Sequence, residues 1–185
     1  MHKGTRKVTS AQARDLTFSS PGLRANGDPR QPASVRERVV QLSGLTDPRE
    51  AVAGPCELVL KPGPESVKAA REFTSVTLSD WQLGDLVEEA VIVASELVTN
   101  AIRHGTRCTV PSAEVATVQL AWQRQTDRII CVVTDSSDLP PVLEEADMSS
   151  ESGRGLQVVH ALTAAWGWVM LGACQKAVWA TFLLQ

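Results

Sequence analysis

Glu96-Leu97-Val98-Thr99-Asn100-Ala101-Ile102-Arg103-His104-Gly105 is the stretch on which the fold turns. Leu97 and Ala101 continue an apolar stripe that begins at Leu86 and runs through Ala90, Val93 and Ala94 in steps of three and four, the spacing of one buried face of a helix. The stripe predicts a long helix opened by Asp80 or Leu83 and ended by Gly105, a residue suited to a helix end. Glu96, Asn100 and His104 fall at i, i+4 and i+8, so the same helix stacks them on one face beside the stripe. A carboxylate and a carboxamide so placed are costly unless something satisfies them. A bound Mg²⁺ would do so, because it is a hard cation that takes oxygen ligands and keeps substrate phosphates in its shell. Asn100 is then a candidate metal ligand, and Glu96 a candidate acceptor for the proton of an attacking water or hydroxyl. The plain alternative is a polar helix edge that water solvates.

Outward from this helix the patterning is that of a small α/β domain. Upstream, CELVLKP reads as a short strand stopped at Lys61-Pro62-Gly63-Pro64. Residues 65–77 follow as a first helix, with Val67, Ala70, Phe73 and Thr74 at helical spacing and Pro64 at its first position. Downstream, residues 114–123 and 128–134 read as strands joined by the polar link Gln125-Thr126-Asp127, a hairpin. Residues 153–165 read as a helix, and residues 166–171 and 177–184 as a closing pair of strands turned at 172–176. The sum is an α/β chain, an α+β two-layer sandwich in which helices cover one face of a mixed, mostly antiparallel sheet.

Two further segments carry candidate chemistry. Ser152-Gly153-Arg154-Gly155-Leu156 directly precedes a helix. Free N–H groups at a helix start attract anions, glycines let a phosphate come close, and Arg154 can add a charge-assisted contact. A flexible glycine hinge is the alternative. The segment is neither a P-loop nor a dinucleotide fingerprint, since it lacks the G-K-[ST] ending and the third glycine. Asp135 closes an apolar strand in Thr134-Asp135-Ser136-Ser137, where its carboxylate can accept a hydrogen bond from an exocyclic amine; a turn-starting Asp is the alternative. The polar run onward to Ser152 is long enough to be a lid.

Composition narrows the classes. The chain has 185 residues, 43% of them hydrophobic, a net charge of −3 and a pI near 5.6, which excludes wholesale disorder and a basic nucleic-acid binder. The longest uncharged apolar stretch, residues 161–174, is shorter than the roughly 20 residues of a transmembrane helix, and the basic start lacks the apolar core of a secretory signal. Neither a membrane nor a nucleic acid is an expected partner. Cys56, Cys108, Cys131 and Cys174 include no C-x-x-C pair and read as reduced thiols, which points to a cytoplasmic home. Charge divides the chain: residues 1–55 carry nine Lys and Arg against five Asp and Glu, and the remainder is acidic. With its prolines and glycines, residues 1–53 read as a largely disordered basic tail apart from a possible short helix at 34–42, and 54–185 as the folded domain.

Taken in order, ELVTNAIRH, VVTDSSDLPP, GRGLQVVHALTAAWGW and AVWATFLL resemble the histidine-kinase-like ATPase superfamily, which includes gyrase-type ATPases and sensor histidine kinases. Within it the pattern resembles the single-domain anti-sigma-factor serine/threonine kinase branch of actinobacterial type, over about residues 64–185. The resemblance implies a Bergerat-type ATP-binding fold that takes ATP and Mg²⁺. It implies Asn100 as ligand to the Mg²⁺ that bridges the phosphates and Glu96 as catalytic base. Arg103 and His104 would lie near the nucleotide, Asp135 on the adenine amino group, and Gly153, Arg154, Gly155 and Leu156 around the phosphates. Thr181 would help Asp135 hold adenine through water, and Trp166, Trp168 and Trp179 would be core. The implied function is a regulator that phosphorylates an anti-sigma antagonist and holds a sigma factor, with a homodimer as an option in this branch. Ser136-Ser137 stand where sensor kinases carry glycine. That departure keeps open a nucleotide-binding, or degenerate, partner-binding module without phosphotransfer. With no phospho-acceptor histidine helix, a two-component sensor kinase is not expected.

Overall fold

The computed structural model describes residues 51–105, 117–141, 154–172 and 174–185. The expected tail, up to residue 50, the candidate helix at 34–42 and the greater part of the expected lid lie outside them. At the boundary, Ala51 bridges Gln125 and the Val52 amide donates to the Arg124 carbonyl at 3.1 Å.

The turn chemistry acts as read. β1 (Cys56–Leu60) stops before Pro62-Gly63, and α1 (Pro64–Asp80) starts with proline at its first position. The missing proline N–H has no helical partner to lose there, and Ser66 Oγ returns to the Lys61 carbonyl at 2.5 Å. α1 outlasts its expected end at 77 because Thr77 and Leu78 are still on its buried side. The chain then reverses through Gln82, at φ 60°, and a 3₁₀ turn at Gly84–Leu86. The long helix, α2 (Val87–His104), therefore opens later than Asp80 or Leu83. Next come β2 (Val118–Arg124), β3 (Arg128–Asp135), α3 (Gly155–Leu162), β4 (Ala165–Gly172) and β5 (Gln175–Leu183). α3 is shorter than the expected 153–165, since Thr163 is already extended, at φ −123° and ψ 150°.

The strands lie in the order β1-β2-β3-β5-β4, antiparallel at each of the four pairings. The layered sandwich expected from the patterning is what the chain forms. Ala90, Val93, Ala94, Leu97, Val98 and Ala101 of α2 are buried against Leu120, Trp122, Ile129, Cys131, Val133, Val178 and Phe182 of the sheet. Trp122 is fully buried; its indole N–H donates to Thr74 Oγ1 at 3.1 Å and its ring meets Phe182 at 5.9 Å. The other face of the sheet carries a smaller cluster of Ala121, Ile130, Val132 and Ala177, with Trp179 against it.

Two expectations fail. Trp168 is not core: it sits on the edge strand β4 and is 42% exposed, whereas Trp166 and Trp179 are partly buried. Nor are all four cysteines reduced. Cys56 and Cys131 are free, but Cys174, in the turn between β4 and β5, is disulfide-bonded. Spacing along the chain says nothing about which thiols the fold brings together; Cys108 lies outside the described residues.

Candidate functional site

α2 carries its polar edge to the start of α3. Glu96 and Asn100 are half-buried, and among the described residues neither side chain makes a hydrogen bond. Gly155 opens α3 directly against them: a Cβ there would fall 2.6 Å from Glu96 Oε2 and 3.4 Å from Asn100 Nδ2. Any larger residue there would have to displace the Glu96 carboxylate from its present place. The first helical bond of α3 runs from the Val158 amide to the Arg154 carbonyl at 3.0 Å, so the amides ahead of Val158 have no acceptor within the helix. One cradle thus brings together a carboxylate able to take a proton, a carboxamide oxygen able to ligate a hard cation, and a helix start whose Gly155 and Leu156 amides have no acceptor within the helix and are able to meet a phosphate. These donors fit a Mg²⁺-chelated polyphosphate.

The other end of α2 rests on Asp135. Gly105 ends the helix, and a Cβ on it would lie 2.6 and 2.7 Å from Asp135 Cβ and Cγ. The rise of about 1.5 Å per residue sets this point roughly 7–8 Å beyond Asn100 along the helix axis. Asp135 is the last residue of β3 and is 2% exposed. Its Oδ1 accepts from the Ser137 amide at 3.0 Å and from Lys176 Nζ at 2.8 Å, the lysine side chain being 5% exposed. Burial pushes the Asp135 carboxyl above the ordinary range, and Lys176, the Ser137 amide and the charge of His104 offset part of the push.

A raised carboxyl has a definite sign. The folded chain holds the Asp135 proton to higher pH than the unfolded chain, so this group lowers stability as pH rises from about 3.9, the ordinary Asp value, through its folded pKa. Asp135→Asn is expected to remove that part of the slope. Urea denaturation at pH 4 to 7 reads it; a wild-type and variant pair with parallel profiles would contradict the shift.

The remaining expected residues are distributed unevenly. His104 is exposed on the last turn of α2, near enough to Asp135 to act on it by charge. Arg103 is exposed and lines a shallow groove of about 310 Å³ with Pro62, Gly63, Pro64, Val67, Thr99 and Ile102, rather than the cradle at Gly155. Arg154 is exposed at the α3 cap. Leu156 is 5% exposed in the core, so its side chain packs and only its backbone amide is left for a phosphate. Gly153 lies outside the described residues. Thr181 does not meet Asp135: it pairs with Ile130, and its hydroxyl donates to the Ala165 carbonyl at 3.2 Å. Lys176 stands opposite Asp135 instead. Reading residues 172–176 as a turn hid it, and only the β3–β5 register could have revealed it.

No curated protein matches the chain. The family described as Histidine kinase-like ATPase domain matches residues 60–180, from the end of β1 into β5. That span covers more than half of the chain and includes Glu96, Asn100, Asp135 and Gly155. The chain belongs to the histidine kinase-like ATPase domain family.

Proposed function

We propose that this protein is an ATP-binding regulatory protein, an anti-sigma factor with serine/threonine kinase activity toward an anti-sigma antagonist. The observation that carries the reading is the approach of Gly155 to Glu96 and Asn100, which joins the helix-start amides to the polar edge of α2. In this reading Asn100 holds Mg²⁺ through its side-chain oxygen, and the bound cation supplies neutralisation of the phosphate charge. The amides at the start of α3 hold phosphate oxygens, and Asp135 takes the adenine amine. Glu96 accepts the proton of a serine or threonine hydroxyl as its oxygen bonds to the γ-phosphorus and the bond to the β–γ bridging oxygen breaks, releasing ADP. The sigma-factor part rests on the order of the sequence motifs: phosphorylating the antagonist frees this protein to hold a sigma factor.

Thermal unfolding with Mg–ATP, Mg–ADP and Mg–GTP tests the nucleotide part. Saturation to about 100 times Kd stabilises a native state by about 2.7 kcal/mol, which for a domain of this size is a rise on the order of 8 °C. The rise is expected to favour adenine and to disappear in Asn100→Ala, whose unliganded melting stays within about 2 °C of wild type because the amide bonds nothing in the fold. No rise with any nucleotide in the wild type overturns the reading. Transfer of a γ-label to a candidate antagonist tests the kinase part; binding without transfer leaves a nucleotide-gated binding module.

A further inference from the structure

We infer that Lys176 is a second base-reading group, which donates a hydrogen bond to a ring nitrogen of the purine while Asp135 accepts from its exocyclic amine. This deepens the ATP-binding reading and rests on it. Lys176 is charged, 96% buried and placed by the β3–β5 register directly opposite Asp135. Residues directly opposite in an antiparallel pair point to the same face, here the face covered by α2, as Val133, Val178 and Phe182 are. Of the three donors of the ammonium, one goes to Asp135 Oδ1 at 2.8 Å, and among the described residues no other partner takes the rest. Asp135 Oδ1 is already shared with the Ser137 amide, whereas Oδ2 accepts no hydrogen bond among the described residues. The pair therefore presents an unused acceptor beside unused donors.

The edge of adenine is the complement of that pattern. Its 6-amino group is a donor, and the ring nitrogens on either side of it, N1 and N7, are acceptors. A lone carboxylate satisfies the amine and leaves its neighbour dry in a buried site. A carboxylate with an adjacent ammonium satisfies both. The register continues the row: Met170 pairs with Lys176, and Met170 and Trp168 are 37% and 42% exposed on β4. These are apolar side chains left where a flat ring lying over the pair would cover them.

Competition binding of ATP, 1-deaza-ATP and 7-deaza-ATP to the unmodified chain tests the inference without a substitution. One analogue, the one lacking the nitrogen that Lys176 meets, is expected to bind at least 10-fold more weakly than ATP, since a buried charged donor is left unpaired. Lys176→Met is then expected to bind ATP and that analogue within about twofold of each other, and Lys176→Gln, which retains a donor, to restore part of the difference. A lysine that served only as counter-ion to Asp135 would leave the analogue ratio unchanged in Lys176→Met. Equal binding of all three nucleotides by the wild-type chain overturns the inference, as does a full analogue penalty in Lys176→Met. Failure to bind ATP at all would instead overturn the nucleotide reading beneath it.

Discussion

Glu96→Gln is expected to slow phosphoryl transfer to an antagonist hydroxyl by on the order of 10²–10⁴-fold, the usual contribution of a positioned general base, while Mg–ATP binding changes by less than about twofold. At about 1.36 kcal/mol per factor of ten, the loss corresponds to roughly 3–5 kcal/mol of barrier. Glutamine keeps the shape of the side chain and removes its charge and with it the ability to hold a proton. The fold has no stake in the exchange: Glu96 is half-buried and among the described residues its side chain makes no hydrogen bond, so stability should stay within about 0.5 kcal/mol. Single-turnover transfer from γ-labelled ATP, with binding measured by calorimetry on the same samples, separates the two effects. Undiminished transfer would remove Glu96 from the base role. Parallel loss of binding and transfer would mean that the carboxylate holds the nucleotide rather than the proton.

That Glu96 could be singled out from sequence follows from how local its signal is. A helix repeats every 3.6 residues, so the stripe from Leu86 to Ala101 fixes which side of α2 faces the sheet and leaves Glu96, Asn100 and His104 on the flank. Glycine beside arginine at a helix start is local as well, and the fold then brings Gly155 to Glu96. What depended on pairing between distant strands was not legible. The resemblance assigns Thr181 to help Asp135 through water, but a register in which Asp135 faces Lys176 puts Thr181 five residues down β5. The resemblance puts Trp168 in the core, and nothing local says that β4 is the sheet edge. The break at Gln82 escapes for another reason: a non-glycine takes φ 60° there, against its own preference.

The junction of these local and distant constraints is Gly105, and Gly105→Ala is expected to destabilise the domain by about 3 kcal/mol, the upper end of overpacking costs. Backbone conformation is not the reason. Gly105 sits at φ −85° and ψ 5°, which alanine can adopt, so the left-handed cap that usually calls for glycine is not in use here. The cost is steric. An added Cβ would run into the Ala101 carbonyl oxygen and lie 2.6 and 2.7 Å from Asp135 Cβ and Cγ. Neither neighbour can yield cheaply: the carbonyl is the last acceptor of α2, binding the Gly105 amide at 2.7 Å, and Asp135 is short, buried and tied to Lys176 and the Ser137 amide. Relief must come from moving the end of α2 or the end of β3, and either motion takes the carboxylate away from its place. Gly105→Ala should therefore also lose most of the ATP-dependent rise in melting temperature, even in the fraction that folds. Gly84→Ala is the matched control, since nothing lies within 4 Å of the Cβ it would add; a glycine replaced without clash typically gains about 0.4–1 kcal/mol through the unfolded chain. Urea denaturation of both variants gives the comparison. A Gly105→Ala protein as stable as wild type would mean that α2 does not rest on Asp135, and the base-reading end of the site would lose its footing.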